Sequence, residues 1–355
     1  MLRRTYTFLF IAIIALMVSC SDSSSKLPMA VGKLGTLVLV SETQIQNDMK
    51  GLLDSSFLMP SDNTTGSEPF LEILHSGLLD FESQYALQKT IFVLVDKASV
   101  SEMDALLEPF SSETIQKLIE NPEPQIMSAR NVFAQYQHIV YLFGKDAKDL
   151  KTKLRKCKDQ VNSSLMSYEL LDQKEKLFKD TSANDQYFKM IKDELGLGVK
   201  IPAMFTLKYH NNKTYWFEYT TTEANSPKTL NLVVHTYPYH DKIELSYESI
   251  RSARDTVFKY LIKGELPGTY MGTTESSYYP KVNAENIVLN GNYCTKIKGW
   301  WTVRGLSQAG PYVRYVVVTP DKKNLFAFEG FVYKADINTK EPDLRLIEAI
   351  ALDIK

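Results

Sequence analysis

Between Met204 and Tyr333 the chain carries seven short apolar or alternating stretches separated by turn residues, and this pattern restricts the fold more than any other feature of its 355 residues. Met204 to Tyr209, Thr214 to Thr220 and Leu230 to Tyr237 read as an antiparallel meander, the first pair joined through His210-Asn211-Asn212. A helix follows, with Ser246 as N-cap and Gly264 just past its end at Lys263. After a tyrosine-rich loop from Gly268 to Pro280, four more strands are predicted: Asn286–Leu289, Tyr293–Val303, Tyr312–Thr319 and Leu325–Tyr333. The turns Asn290-Gly291 and Asp321-Lys322-Lys323-Asn324 connect two of these pairs. A closing helix, Asp343 to Leu352, turns Leu344, Ile347 and Ala351 inward. Strands grouped around a few helices predict an antiparallel sheet flanked by helices.

The first half reads differently. Thr36 to Ser41 and Ile91 to Asp96 are continuous apolar runs, the mark of buried strands. A helix is expected over Glu42 to Leu53, a loop over Pro60 to Glu68 and a helical patch over Leu71 to Leu79. Ser112 opens a helix that Pro122 stops. Asn131-Val132-Phe133 and His138 to Phe143 are expected to pair as a hairpin. From Lys145 to Lys176 the chain is highly charged, with Ala147, Leu150, Leu154, Cys157 and Val161 on one helical face. That face makes Cys157 an inert packed thiol despite the lysines beside it in sequence. The overall expectation is an α+β chain of two domains, 33–181 and 182–355, each a mainly antiparallel sheet flanked by helices.

The first twenty residues carry a different message. Arg3 and Arg4 precede an apolar run from Phe8 to Val18, and Met17-Val18-Ser19-Cys20 resembles a bacterial lipobox. The run is about half of the roughly 20 residues that a membrane span needs, so a cleaved signal over 1–19 is expected. Cys20 then becomes an acylated first residue, and several chains hold a protein to a bilayer far better than one. Residues 20–32, including the polar Ser21 to Leu27, form the lipidated Cys and a flexible tether. The expected location is the cell envelope, lipid-anchored, most simply at the outer membrane on its periplasmic side or at the cell surface. Removing Arg3 and Arg4 from 41 basic residues leaves 39 against 42 acidic ones. Neither that balance nor any basic cluster interleaved with aromatics points to nucleic acid.

Familiar catalytic patterns are absent from the sequence. Gly305-Leu306-Ser307-Gln308-Ala309-Gly310 has two residues where a hydrolase elbow has one, and it joins two strands. Gly264, Gly268 and Gly272 follow a helix and lack the Lys-Ser/Thr of a phosphate loop. His235, His240 and Asp241 lack the tight ligand spacing of a zinc site. No catalytic residue, metal or cofactor is therefore assigned.

The strand Tyr293 to Arg304 holds the most informative constellation. Tyr293, Thr295, Ile297, Trp301 and Val303 share a core-like face, leaving Cys294, Lys296, Lys298, Trp300, Thr302 and Arg304 on the other. A tryptophan among cations suits a sugar ring or an anion. With Arg314 and Glu329 at outward-type positions of the next strands, the candidate binding face is Trp300, Lys298, Arg304, Arg314 and Glu329. This favours a binding module for a glycan, lipid or protein partner. The alternatives are an envelope hydrolase drawing on Tyr237, His235, Arg314 and Glu329, and a structural component of an envelope assembly.

Leu230 to Tyr239, Gly268-Thr269-Tyr270-Met271, Gly299-Trp300-Trp301, Ala309-Gly310-Pro311-Tyr312 and Gly330-Phe331-Val332-Tyr333 resemble a lipoprotein family of Bacteroidota, the domain of unknown function DUF4837. Gly32 to Val40 and Asn131-Val132-Phe133-Ala134 resemble its first half. The resemblance implies an envelope lipoprotein and transfers no catalytic residue. In element order the second domain is also similar to the PsbP/Mog1 type of fold, an analogy of fold alone.

Overall fold

A computed structural model describes residues 27–58, 71–179, 185–211, 213–221, 228–334 and 340–355. The expected signal segment with Cys20, the expected loop over Pro60–Glu68 and the expected boundary at 182 lie outside the described residues. Two sheets organise the rest.

The first sheet has the order β2-β1-β3-β5-β4. Its strands are β1 (Thr36–Val40), β2 (Glu72–Ser76), β3 (Thr90–Val95), β4 (Ile126–Arg130) and β5 (His138–Phe143). Three of the pairings, β1 with β2, β1 with β3 and β3 with β5, are parallel, and only β4 with β5 is antiparallel. The expectation of a mainly antiparallel sheet therefore fails for the first half. The physical reason is visible in the strands: all side chains of β3 and β5 are buried, as befits parallel strands covered on both faces. Helices α1 (Thr43–Phe57) and α3 (Ala147–Phe178) pack on one face, and α2 (Ser112–Glu120) with the 99–107 segment packs on the other. The Leu71–Leu79 patch is mostly the edge strand β2, and the hairpin strand lies at 126–130, with 131–137 as its loop. Cys157 sits in the α3 core, where burial pushes its thiol up to about 11.

The α+β class holds for the chain, and the antiparallel expectation holds in the second half. There the order β10-β11-β12-β13-β8-β7-β6 is antiparallel throughout, with β9 also paired to β11. The strands are β6 (Thr206–Asn211), β7 (Thr214–Thr221), β8 (Lys228–Pro238), β9 (Tyr270–Thr274), β10 (Asn283–Leu289), β11 (Asn292–Arg304), β12 (Ala309–Val318) and β13 (Asn324–Lys334). β9 takes up part of the stretch expected to be a loop, and it lines the outer edge of Trp300–Arg304.

Each face of this sheet has its own apolar core. Helices α4 (Asp185–Leu195) and α6 (Glu341–Ala351) cover one face through Ile191, Leu195, Leu344, Ile347 and Ile350. Helix α5 (Tyr247–Leu261) covers the other through Ile250 and Phe258. Ser246 caps α5 by accepting from the Ser249 amide. Gly330 lets α6 settle directly on β13, because a Cβ there would lie 2.1 Å from Ile347 Cγ2.

Helix α6 also joins the two sheets. Its Arg345 donates to Glu169 of α3 at 2.9 Å, and Glu169 accepts from the Gly35 amide that precedes β1. Lys174 of α3 donates to the Leu352 carbonyl at 2.8 Å. Among the described residues, no helix is long and apolar enough to cross a membrane.

Candidate functional site

The face expected to be open is closed. Trp300 is 3% exposed and stacks on Tyr279, with ring centroids 4.9 Å apart. Lys298 meets Glu348 of α6 at 2.6 Å, and Lys296 meets the same carboxylate at 3.4 Å. Burial works against the Glu348 charge, but the two lysines outweigh it and hold its pKa below the usual carboxylate range. For Lys298 burial is likewise outweighed by Glu348, and its pKa is raised. These groups pin α6 to the sheet.

Arg314 and Glu329 lie on the opposite face. Arg314 stands opposite Ile297 on β11 and opposite Glu329 on β13, so all three share the α5 side. There Glu329 is gripped from two directions. Arg254 of α5 donates to it through Nε at 2.9 Å and Nη2 at 2.7 Å, and Arg314 Nη1 donates at 3.0 Å. Arg314 Nη2 lies 2.9 Å from His235 Nε2. A guanidinium only donates, so Nε2 is the acceptor and the ring proton sits on Nδ1. Burial, then the charges of Arg314 and Arg254, depress the His235 pKa well below its ordinary value and keep the ring neutral.

The aromatic rings of Phe258 and Tyr312 flank the Arg254 guanidinium at 4.4 and 4.2 Å. Burial pushes the Tyr312 hydroxyl up to about 12. Of the suspected acid–base set, His235, Arg314 and Glu329 thus do assemble, but beneath a helix and away from solvent, while the partly exposed Tyr237 stacks beside His235 with ring centroids 5.6 Å apart. That placement removes the role suggested for His235, Arg314 and Glu329, since a general acid or base must reach its substrate. Arg254 belongs to no motif in the sequence. Its signal was a charged residue set between Ile250 and Phe258 at four-residue steps, on the buried row of α5.

Arg304 separates from the rest of the predicted set. Its side chain lies against Gly272, where a Cβ would come within 2.9 Å of Nε, and its Nη2 reaches Asp255 Oδ2 at 3.8 Å. It thereby joins a cleft of about 390 Å³ between α5 and β9, lined by Arg251, Ser252, Asp255, Lys259, Tyr270, Thr273 and others. Arg251, Asp255 and Lys259 come from one outward row of α5 at four-residue steps, the first two partly exposed and the last exposed. The Tyr270 ring has Lys259 Nζ at 5.3 Å and the Arg304 guanidinium at 5.8 Å.

The cleft floor is fixed from below. Asp255 Oδ1 accepts from the Thr273 amide and hydroxyl, both at 2.8 Å, and lies 3.3 Å from Arg254 Nη1. Arg254 Nη1 also donates to the Thr273 hydroxyl at 3.1 Å. The buried charge cluster is therefore the foundation on which Asp255 and Thr273 are held.

A wider groove of about 950 Å³ opens at the sheet end beside Tyr239, Ile243, Tyr293 and Pro320. Its Ser246 and Thr319 hydroxyls are spent internally, the first on the α5 cap and the second on the Asp321–Asn324 turn. His240 is exposed and bonded to Glu244, apart from the bond His235 makes to Arg314. Cys294 is buried, with its thiol pushed up to about 12. Gly305 to Gln308 forms the turn between β11 and β12.

Comparison with known proteins places the second half. Residues 184–352 match the family described as "Domain of unknown function (DUF4837)". The Gly32–Val40 and Asn131–Ala134 stretches fall outside the matched residues. No curated protein matches the chain. Among solved structures, the chain is similar to the Saccharomyces cerevisiae Ran-binding protein Mog1p at 10% identity, covering 45% of this chain and 89% of that one, with a TM-score of 0.29. A mutant form of Mog1 gives 9% identity, 45% and 90% coverage, and a TM-score of 0.30. Likeness at that level carries no functional argument.

Proposed function

We propose that this chain, whose second half matches DUF4837, is an envelope lipoprotein that binds a polar ligand, a glycan by preference, in the α5–β9 cleft. Acylated Cys20 holds it to the bilayer, and the outer membrane is the expected site. One observation carries the binding reading. Cations, an aromatic ring and hydroxyls converge on a cleft of about 390 Å³ whose floor is locked by Asp255, Thr273 and Arg254. Specific small-molecule sites have this size and this kind of fixed polar lining. The groups best suited to proton transfer, His235 and Glu329, are sealed beneath α5, which favours binding over catalysis.

Two measurements test the proposal. Replacing Cys20 with Ser is expected to abolish incorporation of labelled palmitate and move the protein from the membrane to the soluble fraction; retention of label would refute the anchor. Saccharide mixtures added to the full chain are expected to slow amide exchange in Tyr247–Leu261 and Tyr270–Thr274. Protection confined to other segments would refute the cleft.

A further inference from the structure

We infer that the cleft takes an anionic saccharide, one that presents a carboxylate or phosphate on a sugar ring. The inference rests on the binding reading above and adds the charge class of the ligand. It follows from pairing the charges around α5 and asking which remain.

The cluster beneath α5 is balanced once the partly exposed Asp255 is counted. Arg254 and Arg314 supply two positive charges, Glu329 and Asp255 supply two negative ones, and His235 accepts a hydrogen bond as a neutral ring. The single carboxylate lining the cleft, Asp255, is thus already engaged from beneath and by the Thr273 amide and hydroxyl. At the rim Arg251 pairs with Glu275 at 2.7 Å, and Glu275 also accepts from the Tyr247 hydroxyl at 2.6 Å. That rim pair is balanced as well.

Lys259 and Arg304 remain. Lys259 has no ion-pair partner among the described residues, and its ammonium rests near the Tyr270 ring. Arg304 is 55% exposed at its side chain, and its nearest carboxylate is the already engaged Asp255 at 3.8 Å. Two cations therefore flank one tyrosine ring over a cleft with no free carboxylate. Water solvates both cations in the free protein and neither has a dedicated counter-charge, so an arriving anion meets no competing carboxylate, and a guanidinium suits a planar carboxylate or a phosphate.

The neighbouring groups identify the rest of the ligand. Tyr270 offers a ring face on which a sugar can lie. Ser252 and Thr256 line the cleft from the adjacent helical row. A bare inorganic anion would use the two cations and leave these surfaces idle, whereas an acidic sugar engages all of them.

The test is calorimetric titration of the full chain with four probes: tetragalacturonate, its fully methyl-esterified form, glucose 6-phosphate and inorganic phosphate. At least one of the two acidic sugars is expected to bind, and the tighter of them identifies carboxylate or phosphate as the recognised group. The methyl ester, with the same skeleton and no charge, is expected to bind at least about tenfold more weakly than tetragalacturonate. Lys259→Gln and Arg304→Gln are each expected to weaken binding of the acidic sugar by roughly tenfold, with an unchanged thermal midpoint. Equal binding of ester and acid, lost in a Tyr270→Ala variant, would overturn the anionic ligand and leave the cleft reading standing. Inorganic phosphate binding as tightly as glucose 6-phosphate would overturn the saccharide part. Binding indifferent to all three substitutions, or no binding of any sugar, would overturn both the inference and the cleft.

Discussion

Helix α5 carries two rows of side chains one residue apart, and the same chemical groups behave oppositely in them. Ile250, Arg254 and Phe258 form the inner row, with Arg254 fully buried against Glu329. Arg251, Asp255 and Lys259 form the outer row, around an open cleft. Inside, each charge must find its counter-charge because desolvation is costly, and Asp255 of the outer row completes the balance by reaching Arg254 from above, so the cluster has nothing left for a ligand. Outside, water solvates the surplus cations at little cost, so Lys259 stays unpaired among the described residues and Arg304 keeps only its 3.8 Å contact to the shared Asp255, leaving both available. Burial, more than residue type, divides foundation from site.

The sharpest way to break this comparison is Glu329→Gln, which leaves Arg254 and Arg314 buried without their shared carboxylate. Removing one partner of a buried pair costs about 3–5 kcal/mol, and urea denaturation should report a loss of that order. A loss below about 1 kcal/mol would mean that water reaches the cluster. Trp300→Ala comes next, at about 3 kcal/mol or more, because it empties a packed site beside Tyr279. Near-wild-type stability with altered ligand binding would restore the open-face reading.

A pH titration sharpens the inner side further. His235 and His138 are both held neutral, the latter lowered to about 3 by burial and the Arg130 charge. Their folded pKa values lie below the unfolded one of about 6.5, so the unfolded chain takes up protons first on acidification. Stability should be intact above pH 6.5 and should fall below it, by up to about 1.4 kcal/mol per pH unit for each ring. His138→Gln should remove about half of that slope, and a slope unaltered by the substitution would place the titration elsewhere. The smallest effect belongs to the outer row: Lys259→Gln and Arg304→Gln should each change stability by less than about 0.5 kcal/mol.

The sequence disclosed much of the second sheet, because the β8 run from Leu230 to Val234 and the apolar face of β11 mark buried strands and the Leu344–Ile347 pair marks the packing side of α6. Placing Arg314 and Glu329 needed the register of β11 against β12. There Ile297 faces Arg314, an odd-numbered residue opposite an even-numbered one. One residue more in the Gly305–Gln308 turn would reverse that parity, and no pattern within either strand fixes it. Parallel pairing in the first sheet was signalled by the unbroken runs at β1 and β3, whose partners lie across helices. The cleft was half legible. The Arg251–Asp255–Lys259 row follows from helical spacing, but its other wall is β9, in a stretch that reads as loop from Gly268 onward. Arg304 entered the candidate set on its own strand, although its partners there did not accompany it to the cleft.

The most direct test is amide exchange of the full chain with and without a saturating amount of whichever acidic sugar, tetragalacturonate or glucose 6-phosphate, binds more tightly. Protection is predicted in Tyr247–Leu261 and Tyr270–Thr274, lost in the Lys259→Gln/Arg304→Gln double variant, with Glu341–Ala351 unchanged. Protection centred on Glu341–Ala351 and the Trp300 side of β11, and retained in the double variant, would contradict the account.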